Sequence, residues 1–224
     1  MEIAIFLYEG MTVLDAIGPY EVLNHLPNAT VKMVGKQKGL IRADSGYLAL
    51  NVDYTFNDVP SPDIILLPGA TASSVLMMRD PEVIAWVQKA HQTTMWTTSV
   101  CTGSLILGSA GVLQGKTATT HWAVLPQLSK LGATPSTERV VRDGKIITAA
   151  GVSAGIDMAL YLVSQIADKS TARQLQLAIE YDPQPPFPYA DPSDTNSSIV
   201  QKTQVLLGTE YQAWMHKHAP DFNS

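Results

Sequence analysis

The chain reads as an α/β protein, with a mostly parallel central sheet sandwiched by helices and a small β-hairpin. Three observations predict this. Ile3–Tyr8 and Ile64–Leu67 are short apolar runs of strand length, the second continuous as expected of a strand buried on both faces, and Met95–Val100 is a further strand. Helical stretches separate them at a spacing that suits parallel crossovers. Asp143-Gly144, between two β-prone runs, is a hairpin signal.

The first strand, Ile3–Tyr8, closes at the turn signal Glu9-Gly10. Gly18-Pro19 is expected to open the first helix, through Tyr20, Val22, Leu23 and Leu26, because proline suits a first helical turn. Val31–Val34 is the next strand, and residues 39–56 alternate loosely as one or two peripheral strands. Asp80-Pro81-Glu82 starts a helix that runs to about His91, combining a capping carboxylate, an early proline and an acid facing the helix dipole. Met95–Val100 is a strand, and Thr102–Gly111 and Trp122–Leu131 are helical. Arg139–Thr148 is the hairpin, its Asp-Gly supplying the positive φ angles of a type I′ turn. Helices follow near Gly155–Ile166 and Ser170–Glu180. Residues 182–198 hold five of the 14 prolines and read as an extended, irregular segment, and Ile199–Lys217 as a closing helix. Nothing marks a repeat or a second domain, so residues 1–224 read as one domain.

A net charge of −5 leaves no basic footprint for nucleic acid or an anionic membrane surface. Ala90–Gly115 lacks Asp, Glu, Lys and Arg, but its many Ser and Thr residues and its interrupting glycines suit a buried strand and helix better than a membrane span. The N-terminus has no basic signal-peptide region, and a cytoplasmic location is expected. Charged residues make up 16%, against ~25% in an average soluble protein. That sparseness suggests a surface partly covered by another subunit. The single cysteine excludes an intramolecular disulfide and any Cys-x-x-Cys metal or redox site.

In parallel sheets the site lies beyond the carboxyl ends of the strands. That rule points at Glu9–Gly18, Pro68–Thr71 and Val100–Gly103. Val100-Cys101-Thr102-Gly103 joins a strand to a helix with almost no loop, the arrangement that lifts a nucleophile out of a sheet. Gly103 leaves room for the turn. The N–H groups of the following helix favour a thiolate, so a lowered Cys101 pKa is expected. The competing reading is an inert, buried thiol. Asp15 alone reads as a loop or capping carboxylate, exposed and of little weight for stability. His121, 20 residues after the cysteine, reads as a hydrogen-bonded structural histidine with a possible catalytic role. His216 and His218 lie on different helical faces and form no ligand pair, and no metal site is expected.

The runs Ser99-Val-Cys-Thr-Gly-Ser-Leu105, Leu113-x-Gly-Lys116, Ala118-Thr-Thr-His-Trp122 and Gly151-x-x-Ala-Gly-Ile-Asp157 resemble the DJ-1/PfpI superfamily. Leu14-Asp15-x-x-Gly18-Pro19, Glu138-Arg-Val-Val-Arg-Asp-Gly144 and Gln174-Leu-Gln-Leu-x-x-Glu-Tyr181 resemble its isocyanide hydratase branch, where Asp15 stands in place of a commoner glutamate. The resemblance covers nearly the whole chain. It implies a flavodoxin-like, class I glutamine amidotransferase-like fold and a hydro-lyase that adds water to a small apolar isocyanide, giving an N-substituted formamide. It further implies Cys101 as nucleophile, Asp15 as its carboxyl partner and Thr102 as the neighbouring hydroxyl. Gly69, Ala70, Gly151 and Val152 become substrate-facing backbone donors. Pro68-Gly69-Ala70 departs from the family's usual Gly-Gly, which puts the first two of these donors in question. The chemistry calls for no metal or organic cofactor, and the superfamily's habit of pairing subunits implies a homodimer.

Two other functions compete. One is a different DJ-1/PfpI hydrolase, of amidase or glyoxalase type. The other is a stand-alone ligand-sensing domain like the N-terminal half of AraC-type regulators, although no basic recognition helix follows here.

Overall fold

The computed structural model describes residues 1–223. The elements run β1 (Glu2–Phe6), α1 (Val13–Leu23), β2 (Thr30–Gly35), β3 (Gly39–Arg42), β4 (Ala49–Val52), β5 (Tyr54–Thr55) and β6 (Ile64–Leu67). They continue with α2 (Ser74–Met77), α3 (Pro81–Thr93), β7 (Trp96–Val100), α4 (Gly103–Ser109), β8 (Thr117–Ala118), α5 (Gln127–Lys130) and β9 (Thr134–Pro135). The hairpin β10 (Val140–Asp143) and β11 (Ile146–Ala149) precedes α6 (Ala154–Ile166), α7 (Lys169–Ala178) and α8 (Ser198–His218).

Seven strands form the central sheet in the order β10-β11-β7-β6-β1-β2-β5. Every pairing in it is parallel except the β10–β11 hairpin. The sequence order reverses beside β1, so the crevice beyond the carboxyl ends of β1, β6 and β7 lies at a topological switch point. β6 and Ile3–Phe6 of β1 are continuously apolar because both faces are covered, whereas β7 buries the hydroxyl residues Thr97, Thr98 and Ser99. Ile3, Ile5, Phe6 and all four residues of Ile64–Leu67 are fully buried. Each such side chain contributes roughly 1.5–3 kcal/mol relative to exposure. An aromatic cluster of Phe6, Phe56 and Trp86, with centroids 4.6–6.0 Å apart, closes one side of the core. The Trp86 indole N–H donates to the Val59 carbonyl at 3.0 Å.

Asp80 caps α3 as expected, accepting from the N–H groups of Glu82 and Val83. Four expectations need correction. The first helix begins at Val13, and Pro19 lies inside it. Proline there deprives the Asp15 carbonyl of its helical donor, ordinarily a cost of ~3 kcal/mol. Tertiary packing offsets this: α1 lies against α6, where Pro19 abuts Gly155 and Gly18 abuts Ile156. The hairpin turn is not type I′. Of its two loop residues only Gly144 has a positive φ, 63°, which fits a type II′ turn. Residues 39–56 form three strands; β3 and β4 pair as a separate antiparallel ribbon and β5 joins the main sheet. Trp122–Leu131 is broken at Pro126 into a 3₁₀ turn, Trp122–Val124, and the short α5. Residues 182–198 carry no regular structure up to the start of α8. Among the described residues no helix is long and apolar enough to cross a membrane.

Candidate active site

Four adjacent strands deliver residues to one place. Asp15 follows β1, Gly69 and Ala70 follow β6, Cys101 and Thr102 follow β7, and Gly151 and Val152 follow β11. The junction at Cys101 is sharp: its φ is 56°, in the left-handed region that L-residues rarely occupy. Three features hold it there. The Cys101 N–H donates to the carbonyls of Ala149 and Ala150, and the hydroxyls of Thr120 and Ser104 donate to its carbonyl at 2.9 and 3.1 Å. Gly103 is required, because a Cβ there would sit 2.0 Å from the Leu67 carbonyl oxygen.

Asp15 is not an exposed loop residue. It lies in the first turn of α1 and is completely buried. Its Oδ2 accepts the Gly69 N–H at 2.8 Å, while Oδ1 has no hydrogen-bond partner among the described residues. Burial pushes this carboxyl up to about 7, against the pull of the Gly69 N–H and of the Cys101 thiol. Burial also pushes the Cys101 thiol up, and the Asp15 carboxylate adds to the effect. The N–H groups of Thr102 and Val152 address the sulfur and oppose it. The position at a helix N-terminus therefore does not by itself lower the pKa, contrary to expectation: desolvation outweighs those donors. The two groups titrate as a pair: below about pH 7 both carry a proton, and above it the carboxyl gives its proton up while the thiol keeps its own.

The N–H groups of Gly69 and Ala70 are already engaged. Gly69 serves Asp15, and the Ala70 N–H donates to Thr102 Oγ1 at 2.8 Å while that hydroxyl donates back to the Ala70 carbonyl at 2.9 Å. Ala70 is not among the positive-φ residues, so alanine fits there without backbone strain and keeps its N–H as a donor. Val152 has a φ of 24°.

A cavity of about 390 Å³ opens onto Cys101. Its floor is Cys101, Thr102, Ala70 and Val152, and its roof is one face of α8: Gln204, Leu207, Gly208 and Tyr211. His121 forms part of its wall. The His121 Nδ1 accepts the Ala123 N–H at 3.3 Å, leaving the ring proton on Nε2, and burial lowers its pKa so that the ring is neutral. It is thus a structural cap and a cavity residue together. A second cavity of about 620 Å³ shares His121 and Val152 with the first, and reaches the proline-rich segment at Tyr189 and Pro192.

Sequence reasoning missed Asp44 and the α8 residues, and reached Thr12 only as one position of Glu9–Gly18. Nothing local distinguishes Thr12 or Asp44. The spacing 204, 207, 208, 211 does mark one helical face, but Gln, Gly and Tyr hide it from a search for apolar periodicity.

Known proteins match the chain that builds this site. The family model described as DJ-1/PfpI matches residues 1–165. The chain belongs to the DJ-1/PfpI family. It is 41% identical over 204 residues to the isonitrile hydratase of Pseudomonas putida, covering 91% of this chain and 89% of that protein. The solved structure of a THiJ/PfpI family protein from Pseudomonas syringae matches with a TM-score of 0.89 at 35% identity, over 95% of this chain and 88% of that one. The HTH-type transcriptional regulator CdhR of Pseudomonas aeruginosa is 27% identical over 177 residues, 75% of this chain but 50% of the regulator.

Proposed function

We propose that this protein hydrates isocyanides to N-substituted formamides through a covalent intermediate on Cys101. The observation that carries the reading is the thiol–carboxyl pair: Cys101 lines a cavity of about 390 Å³, and the Asp15 carboxyl is buried against its thiol. The likeness to isonitrile hydratase over nine-tenths of the chain supports it.

The chemistry follows from that pair. The sulfur forms a bond to the terminal isocyanide carbon. Asp15 takes the thiol proton and delivers it to the same carbon, giving the thioimidate R–N=CH–S. Thr102 fixes the Ala70 backbone and presents its N–H to the sulfur, as does the Val152 N–H. Water then adds to the thioimidate carbon. One of its protons ends on nitrogen and the other returns to sulfur as the C–S bond breaks. His121 and the α8 face contact the substituent. No step requires a metal or an organic cofactor.

We also propose that two copies pair. Ile199, Val205 and Leu206 on α8, and Phe187 and Tyr189 before it, are exposed apolar side chains, and the surface is sparse in charge. Sedimentation at micromolar concentration is expected to give twice the 24.2 kDa chain mass; a monomer refutes pairing.

Incubation with phenyl isocyanide, followed by chromatography for N-phenylformamide, tests the activity. Catalytic formamide production is expected, and none at any pH from 6 to 9 refutes the reading.

A further inference from the structure

We infer that Asp44 is the general base of the second half-reaction, drawing the proton from the water that releases the product. The inference rests on the hydratase reading above and assigns a group to a step that Asp15 is poorly placed to serve.

Asp44 follows β3 and is half-buried. It lines the Cys101 cavity, and it also lines a neighbouring pocket of about 430 Å³ with Ser45, Thr71, Trp214 and His218. It therefore stands where the reaction space meets a second, outer one. Its carboxylate is held in a fixed orientation. The Thr12 hydroxyl donates to Oδ2 at 2.9 Å, and the Ser45 N–H donates to Oδ1 at 2.8 Å. The Asp44 N–H in turn donates to the Met11 carbonyl at 3.0 Å. Met11 and Thr12 lead directly into α1, so the segment that places Asp15 also fixes Asp44. Each Asp44 oxygen keeps a free lone pair for a water.

The two half-reactions make opposite demands. Forming the thioimidate needs a proton delivered to carbon in a site free of competing water. Breaking it needs water, and a base that can reach that water. Asp15 is completely buried beneath the sulfur and meets the first demand. Asp44, at the junction of the two spaces, meets the second. As the water oxygen bonds to the thioimidate carbon, Asp44 takes one proton from it and passes it to the nitrogen, which has received the C=N π pair. The remaining hydroxyl proton goes to sulfur as the C–S bond breaks and the formyl C=O forms. Asp44 ends as it began.

Rapid mixing of Asp44→Asn with phenyl isocyanide, read by intact-protein mass after quenching, tests this. The variant is expected to gain the mass of one isocyanide at Cys101 as fast as the wild type. Formamide release should slow by ~10²-fold, as for loss of a positioned base, so that the adduct accumulates during turnover. Thr12→Val removes one hydrogen bond that orients Asp44, and should show the same accumulation with a smaller slowing; it decides the matter if Asp44→Asn does not fold. Wild-type turnover without accumulated adduct overturns the role of Asp44, as does slow adduct formation. Neither result touches the hydratase reading, which fails only if the wild type itself yields no formamide.

Discussion

The floor and the roof of the Cys101 cavity are built by different physics. The floor is the carboxyl end of a sheet whose strands are buried on both faces. Asp15 there is fully buried, Cys101 and Thr102 nearly so, and Gly103 fits against the Leu67 carbonyl with no room for one more carbon. The roof is a 21-residue helix with only Val200 and Met215 buried, steadied by Trp214 against Gly10. A Cβ added at Gly208 on the roof meets nothing. Close packing therefore holds the reacting groups, where a displacement of 1 Å is costly. The roof has room to vary, as at Gly208.

The largest effect is expected at the sulfur. Cys101→Ala is expected to abolish formamide production while leaving circular dichroism unchanged, since the smaller side chain fits the same turn. Substantial turnover by this variant would falsify a covalent route.

Next comes the turn itself. Gly103→Ala places a methyl group on a backbone carbonyl and should cost on the order of 3 kcal/mol or more, measured by urea unfolding. Wild-type stability would show that the floor yields more than close packing allows.

Asp15→Asn separates chemistry from stability. It keeps an acceptor for the Gly69 N–H but moves no proton, so kcat should fall by ~10²-fold or more. Because the folded carboxyl titrates at about 7, above the 3.8 of the free group, the folded state binds a proton that the unfolded chain releases between those values. Wild-type stability thus falls as pH rises from about 4 to about 7, and the full cost is present above 7. The variant should be the more stable protein at pH 8, by up to the order of 4 kcal/mol at ~1.4 kcal/mol per pKa unit, and the gap should close towards pH 4. In the wild type, kcat/KM should rise with pH through about 7, as Asp15 becomes able to accept the thiol proton. A flat profile from pH 5.5 to 8.5 removes Asp15 from proton transfer.

The smallest effects belong to the roof. Gly208→Ala should raise stability by ~0.8–1 kcal/mol, as for Gly replaced inside a helix, with small isocyanides hydrated at the wild-type rate. Gly208→Leu should raise KM for bulky isocyanides more than for small ones. Equal effects on both would mean that α8 does not contact the substituent.

The layered fold and the place of the cysteine are legible in short stretches of the chain. Ile64–Leu67 and Val100-Cys101-Thr102-Gly103 are local statements: four apolar residues with no alternation need cover on both sides, and a strand that meets a helix without a loop needs glycine. Asp80-Pro81-Glu82 likewise decided the start of α3 alone. Tertiary structure decided what depends on neighbours far along the chain. Gly18-Pro19 carries the local signature of a helix start, yet contact with Gly155 and Ile156 of α6 keeps Pro19 inside α1 and buries Asp15. That burial, invisible in a lone aspartate, raises its pKa. The same desolvation reversed the expectation for Cys101, because the helix N–H groups were legible in the sequence and the missing water was not. Thr12, Asp44 and the 204–211 face of α8 reach the site only through the fold, since a side chain's solvation and distant partners are properties of the packed molecule rather than of its own sequence.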